Sequence, residues 1–323
     1  MASRRPTVAL LHPLPPAVER ALSDRYELIR RDRDDDPTAS ELRALAGRAD
    51  AIVSTVTDTV PAEVFDVEGP LRIVANFGVG YERIDVGAAR RAGAIVTNTP
   101  GALTDCTADL TIALILMVLR RTGEGERLLR AGRWTGWRPT SMLGRRVTGR
   151  TLGVIGLGRI GAAVARRARH GFGMSIAYHS RTRAAPELEA ELGAEPLPLE
   201  RLLGRVDVVS LHCPLTPETE GLIDERRLRS FRSDAVLINT ARGGLVDEEA
   251  LAAALRESRI AGAGLDVFRG EPSVSPALLG LDNVVLLPHQ GSATIETRTA
   301  MGMRVVANLD AFFRGDAVPD PVA

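Results

Sequence analysis

Three glycines in "GVIGLGRIGAAVARRA", Gly156, Gly158 and Gly161, have the spacing G-x-G-x-x-G. The motif follows an aliphatic run and opens a stretch of apolar helical period, which is the context a diphosphate-binding turn requires. Each glycine answers a separate demand. Gly156 permits a tight turn, Gly158 lets backbone approach a pyrophosphate, and Gly161 lets a helix pack close to a strand. Leu157, Arg159 and Ile160 fill the same turn, so a diphosphate is expected on free N–H groups at a positive helix end. A dinucleotide unit that takes NAD normally carries an acidic residue about 20 residues further on, for the adenosine ribose. Here Tyr178 is followed by His179, Ser180, Arg181, Thr182 and Arg183. A carboxylate repels a 2′-phosphate, whereas a guanidinium pairs with it and hydroxyls donate to it. The pattern predicts NADP(H) as the preferred cofactor, with Arg181 as the phosphate ligand and Ser180 and Thr182 as donors. The competing reading is a solvated loop charge at Arg181 with NAD(H) also bound.

The rest of the chain must hold that turn in place. Its 323 residues exceed one ordinary core and point to two domains. Short aliphatic runs at 7–11, 51–55, 72–77 and 94–98 alternate with helical patterns at 17–25 and 40–48. Parallel strands covered on both faces read this way. A helix is expected over 104–121, opening at Thr104-Asp105 and closing on Arg120-Arg121. Residues 123–150, rich in Gly and Arg and holding Trp134 and Trp137, read as an irregular arm. A second series has runs at 151–156, 175–179, 207–212, 235–240, 262–267 and 284–288, and a closing helix over about 293–313. The predicted class is α/β: two doubly wound Rossmann-like or flavodoxin-like domains with parallel sheets and a cleft between them.

Composition narrows the chemistry. All 41 basic residues are arginine, which removes lysine Schiff-base chemistry and any Walker-type phosphate lysine. Zero formal charge offers no attraction for nucleic acid or an anionic membrane, so neither is expected as a partner. Cys106 and Cys213 lie far apart and read as buried thiols in a reducing cytosol rather than as a disulfide or metal site; no metal is expected. The longest apolar stretch, 110–119, is short of a membrane span, and the N-terminus lacks the form of a secretion signal, so a cytoplasmic location is expected.

"GLGRIG", "VSLHCPLTPET" (209–219), "LINTARGGLVDEEAL" (237–251), "GLDVFRGEP" (264–272) and "LLPHQGSAT" (286–294) occur in the order and spacing of the D-isomer-specific 2-hydroxyacid dehydrogenases. Nearly the whole chain resembles that family, and most closely its glyoxylate/hydroxypyruvate reductases. The resemblance implies NADPH-dependent reduction of glyoxylate or hydroxypyruvate to the D-2-hydroxy acid. Arg242 matches the substrate arginine, whose fork can hold the carboxylate and carbonyl of a 2-oxo acid. His289 matches the general acid, suited to proton transfer near neutral pH. Glu271 matches the carboxylate bonded to that histidine, and its charge should favour imidazolium. His12, His170, His179 and His212 have no comparable partner in sequence and read as structural or surface residues.

The resemblance also places N–H groups near Val79 and Gly80, in "NFGVGYERID", at the substrate carboxylate. Asp266 falls at the position that meets the nicotinamide carboxamide, with Thr104, Pro214, Thr240 and Gly291 near the cofactor. A homodimer is implied, with a dimerisation arm over about 120–150 and Trp137 reaching the neighbouring active site. The substrate domain should be 1–99 plus 291–323, the cofactor domain 100–290, with closure excluding water. Gln290 and Gly101 depart from the family pattern, which bears on substrate choice rather than on the reaction. Alternatives are phosphoglycerate or phosphite oxidation by the same triad, or a nucleotide-sensing, corepressor-like interaction protein.

Overall fold

The computed structural model describes residues 4–31, 33 and 35–322. The chain divides into two compact units, Met1–Leu103 with Ala293–Ala323, and Thr104–Ser292.

The first unit has strands β1 (Thr7–Leu10), β2 (Glu27–Arg30), β3 (Ala51–Thr55), β4 (Ile73–Phe77) and β5 (Ile95–Thr97), with helices α1 (Pro16–Ser23), α2 (Ala39–Ala46) and α3 (Val86–Arg91). All strand pairs are parallel, in the order β2-β1-β3-β4-β5, which is the flavodoxin-like winding. Because side chains alternate across a strand, the aliphatic runs feed two cores. Ala9, Leu11, Ile52 and Val74 pack with Leu42, Leu45 and Ala88. Val8, Leu10, Val53 and Ile73 pack instead with Val18, Leu22, Val305 and Leu309. The last two come from the closing helix, Ile295–Arg314.

The second unit begins with α4 (Thr104–Leu119) and α5 (Thr122–Arg130). It continues through β6 (Thr151–Ile155), α6 (Arg159–Phe172), β7 (Ser175–His179), α7 (Pro186–Leu192), β8 (Ala194–Pro196), α8 (Leu199–Leu203) and β9 (Val208–Leu211). After these come α9 (Glu225–Leu228), β10 (Val236–Asn239), α10 (Glu248–Arg256), β11 (Gly262–Leu265), α11 (Pro276–Leu279) and β12 (Val284–Leu286). Ile295–Arg314 is therefore α12. The seven strands are parallel in the order β12-β11-β10-β9-β6-β7-β8, a Rossmann arrangement whose order reverses at β6. α4 and α6 cover one face through Leu114, Ile115, Val164 and Ala165. α8 and α10 cover the other through Leu202, Leu251 and Leu255.

Two expectations need correction. The helix expected to reach 121 stops at Leu119, because Arg121 turns left-handed with φ 54° and forms an ion pair with Glu124. The chain then continues as α5, so the expected irregular arm is helical over its first part and irregular only from Ala131 to Arg150. No helix among the described residues is long and apolar enough to cross a membrane.

Candidate active site

Adjacent strands deliver the candidate catalytic side chains to one edge of the second sheet. Arg242 follows β10, Glu271 follows β11 and His289 follows β12. Nδ1 of His289 lies 2.7 Å from Oε2 of Glu271. The other oxygen of Glu271 accepts the N–H of Phe268 at 2.8 Å, so both are engaged. Burial alone would raise the Glu271 pKa. The hydrogen bond and charge of His289, the Phe268 N–H and the Arg242 guanidinium outweigh it and hold this carboxyl below its usual range.

The Arg242 segment packs against the Glu271 loop without intervening side chain. A Cβ on Gly243 would fall 1.9 Å from the carbonyl carbon of Phe268, so only glycine fits. Asn239 Nδ2 donates to the Arg242 carbonyl at 2.8 Å and its Oδ1 accepts the Ala241 N–H at 3.1 Å, which shapes the turn after β10.

His289 has φ 52°, an uncommon conformation for a residue with a side chain. Asp266, fully buried at the end of β11, grips this turn. Its main-chain oxygen accepts the His289 N–H at 2.9 Å, while Oδ1 accepts that of Gln290 at 2.6 Å and Oδ2 that of Gly291 at 2.8 Å. Burial raises the Asp266 pKa, against the opposing pull of those N–H groups and of His289. The Gly291 carbonyl is held too, by Thr107 Oγ1 at 3.0 Å. Thr111 donates to the Thr107 carbonyl at 2.8 Å, so the Thr240 hydroxyl, 2.9 Å from that of Thr111, is the donor in their contact. Thr107 and Thr111, which sequence reasoning passed over, thus tie the His289 turn to the end of β10 through α4.

The glycine turn lies at the carboxyl end of β6, where the strand order reverses. Gly156 has φ 93°, and a Cβ there would meet Cys213 N at 2.7 Å. A Cβ on Gly161 would sit 2.2 Å from the Gly156 carbonyl oxygen. A Cβ on Gly158 would meet nothing within 4 Å, so this backbone is open to an approaching group. Gly158 caps α6 with no side-chain bond, and the N–H groups of Arg159 and Ile160 have no protein acceptor among the described residues. Open backbone, free donors and a helix N-terminus together suit a diphosphate. Ser180 Oγ accepts the Leu157 N–H at 2.7 Å and fastens β7 to the turn. Arg181 and Thr182 are exposed. Arg183 is committed to Glu189, whereas Arg181 has no ion pair among the described residues. Its charge contributes, behind hydrogen bonds from Thr216 and from the backbone, to holding Glu218 low.

Pro214 is exposed, Thr104 half-buried. Neither Cys213 nor Cys106 forms a disulfide, and burial pushes Cys213 up to about 11, away from nucleophilic use. His212 sits 2.8 Å from Ser210 Oγ, and burial pushes it down to about 3. His179 contacts the Leu197 carbonyl at 3.1 Å. His12, in the first unit, has the partner its sequence neighbourhood conceals: buried Asp58, at 2.8 Å. Trp134 and Trp137 are 57% and 76% exposed, and Leu129 and Leu143 of the same segment are exposed too.

In the first unit, Val79 and Gly80 lie in the loop after β4. Neither N–H has a protein acceptor among the described residues.

Residues 112–291 match the family model described as "D-isomer specific 2-hydroxyacid dehydrogenase, NAD binding domain". A glyoxylate reductase of Korarchaeum cryptofilum is 48% identical over 324 residues, covering 98% of this chain and 96% of that protein. A putative D-isomer specific 2-hydroxyacid dehydrogenase structure from Polaromonas superposes with a TM-score of 0.93 at 40% identity, over 98% of this chain and 99% of that one. An NADPH-dependent glyoxylate/hydroxypyruvate reductase from Sinorhizobium meliloti, solved with NADP and malonate, gives 0.84 at 41% identity, over 99% and 97%.

Proposed function

Because the chain belongs to the D-isomer specific 2-hydroxyacid dehydrogenase family, we propose that it reduces glyoxylate or hydroxypyruvate to the D-2-hydroxy acid, using NADPH in preference to NADH. The reading rests above all on the hydrogen bond between His289 and Glu271, beside Arg242. Nδ1 of His289 is turned to the carboxylate, which leaves Nε2 as the atom that hands a proton to the substrate carbonyl oxygen. Glu271 stays ionised and compensates the imidazolium before transfer. Arg242 orients the 2-oxo acid through carboxylate and carbonyl oxygens, and the Val79 and Gly80 N–H groups receive the carboxylate. The bound nicotinamide supplies the hydride. Gly156, Gly158, Gly161 and the first turn of α6 hold its diphosphate, and Asp266 meets the carboxamide.

NADP(H) preference is supported by an exposed Arg181, with no ion pair among the described residues, where an NAD site carries a carboxylate, and by the NADP bound to the Sinorhizobium relative. A homodimer through the arm accounts for its exposed Leu129, Trp134, Trp137 and Leu143, with Trp137 reaching the neighbouring active site.

Initial rates with NADPH and NADH against glyoxylate, hydroxypyruvate, pyruvate and phenylpyruvate test the proposal. The expected result is fastest turnover on the first two, with a lower KM for NADPH than for NADH. NADPH binding without turnover on any 2-oxo acid would overturn it in favour of a nucleotide sensor.

A further inference from the structure

The carbonyls of Gly78, Val79 and Gly80 are each tied to the protein behind the loop. Asn76, buried within β4, donates from Nδ2 to the Gly78 carbonyl at 3.2 Å and the Gly80 carbonyl at 2.7 Å. Asn98, just after β5, donates to the Val79 carbonyl at 2.8 Å. The Thr99 N–H adds a second bond to Gly78 at 2.9 Å. In a trans peptide the N–H points opposite to the carbonyl it follows. Fixing the Gly78 carbonyl therefore fixes the Val79 N–H, and fixing that of Val79 fixes the Gly80 N–H. Neither of these two donors has a protein acceptor among the described residues, and adjacent outward N–H groups make an anion-binding concavity.

We infer that Asn76 and Asn98 are positioning residues for substrate carboxylate binding, which hold two consecutive peptides with their donors outward. The inference rests on the proposed role of Val79 and Gly80. Without Asn98 the Val79 peptide can rotate, and without Asn76 the Gly78 peptide keeps only its bond from Thr99; a carbonyl oxygen turned outward repels a carboxylate. The side-chain type is specific: an amide nitrogen carries two hydrogens, and Asn76 spends both on this loop. An aspartate would set acceptor against acceptor. The scaffold holds the loop and Asn98 in turn. A Cβ on Gly78 would lie 2.1 Å from Val56 Cγ1, and Asn308 Nδ2 donates to the Asn98 carbonyl at 3.3 Å.

Asn98→Leu tests this, because Asn98 is less buried than Asn76 and leucine removes the donor without adding charge. The variant should raise KM for glyoxylate and Ki for oxalate at least about tenfold, the cost of one hydrogen bond to a loop that binds a charged group. Its kcat, KM for NADPH and thermal midpoint should stay near wild type. Asn76→Leu should shift the same constants in the same direction. An Asn98→Leu enzyme with unchanged KM and Ki overturns the inference, as does one that loses kcat, cofactor affinity and thermal stability together. Either result on a wild-type enzyme that reduces glyoxylate leaves the proposed function standing. A wild-type enzyme that neither reduces 2-oxo acids nor binds oxalate removes both.

Discussion

Asp266→Asn isolates what keeps His289 in its unusual backbone conformation. The substitution preserves volume but replaces one of two acceptor oxygens with an NH₂ group. In the wild type those oxygens lie 2.6 and 2.8 Å from the N–H groups of Gln290 and Gly291, in full burial. The variant must turn its amide toward one of these donors and leave it unsatisfied, at a cost of about 1–3 kcal/mol. The surviving bond also loses its charge assistance, a further ~1 kcal/mol. Against this stands the left-handed conformation of His289, which costs roughly 1–2 kcal/mol to maintain. Two bonds to a charged carboxylate, about 1.5–3 kcal/mol each, exceed the strain in the wild type, and these losses bring the clamp down to about its level, so much of the population should carry a displaced imidazole. Misplacement by about 1 Å can cost on the order of 10²-fold in rate. We expect kcat for glyoxylate to fall ten- to a hundredfold. Steady-state kinetics with both substrates varied, together with thermal melting, separates the possibilities. A variant that keeps kcat within twofold would refute the clamp. One that raises only the KM for NADPH would leave Asp266 its proposed carboxamide role and remove the clamp.

Arg181→Asp should weaken NADPH binding far more than NADH binding, as measured by fluorescence titration of both; equal losses would remove the phosphate role. His12 carries a pH signature. Its hydrogen bond to Asp58 comes first among the causes that raise its pKa above 6.5, ahead of opposing desolvation. A raised histidine contributes stability that is complete below its unfolded value and is lost as pH rises through the folded one. His12→Gln should therefore cost more in melting temperature at pH 5.5 than at pH 8.5, and a gap that widens toward alkaline pH would contradict the pairing.

The strands that build the sheet centres were legible because they are buried on both faces and read as unbroken aliphatic runs. β3 and β7 span the expected residues. β2 and β8, at the sheet edges, carry Glu27 and Arg30 or end on Pro196, and offered no such run. α5 was obscured by Gly123 and Gly125, poor helix formers, and by the lack of any buried residue along it. The glycine turn stood out through its spacing, and the residues at 242, 271 and 289 through the resemblance of their motifs to the family. Asp266 was recognisable as a site residue, but not its hold on the 289–291 turn, since both partners lie over 20 residues away. Asn76 and Asn98 sit inside aliphatic runs, and their targets emerge only once β4 and β5 pair. The His12–Asp58 pair spans 46 residues and depends on β1 lying beside β3.

Proton delivery from His289 is the step on which the proposed reaction turns. The most direct measurement is turnover of glyoxylate by His289→Ala with saturating NADPH, alongside the affinity of the same variant for the cofactor. Loss of about 10²- to 10⁴-fold in kcat with NADPH binding intact is the expected result. Turnover near that of the wild type would mean that another group supplies the proton, and that the bond between Nδ1 and Glu271 serves the fold alone.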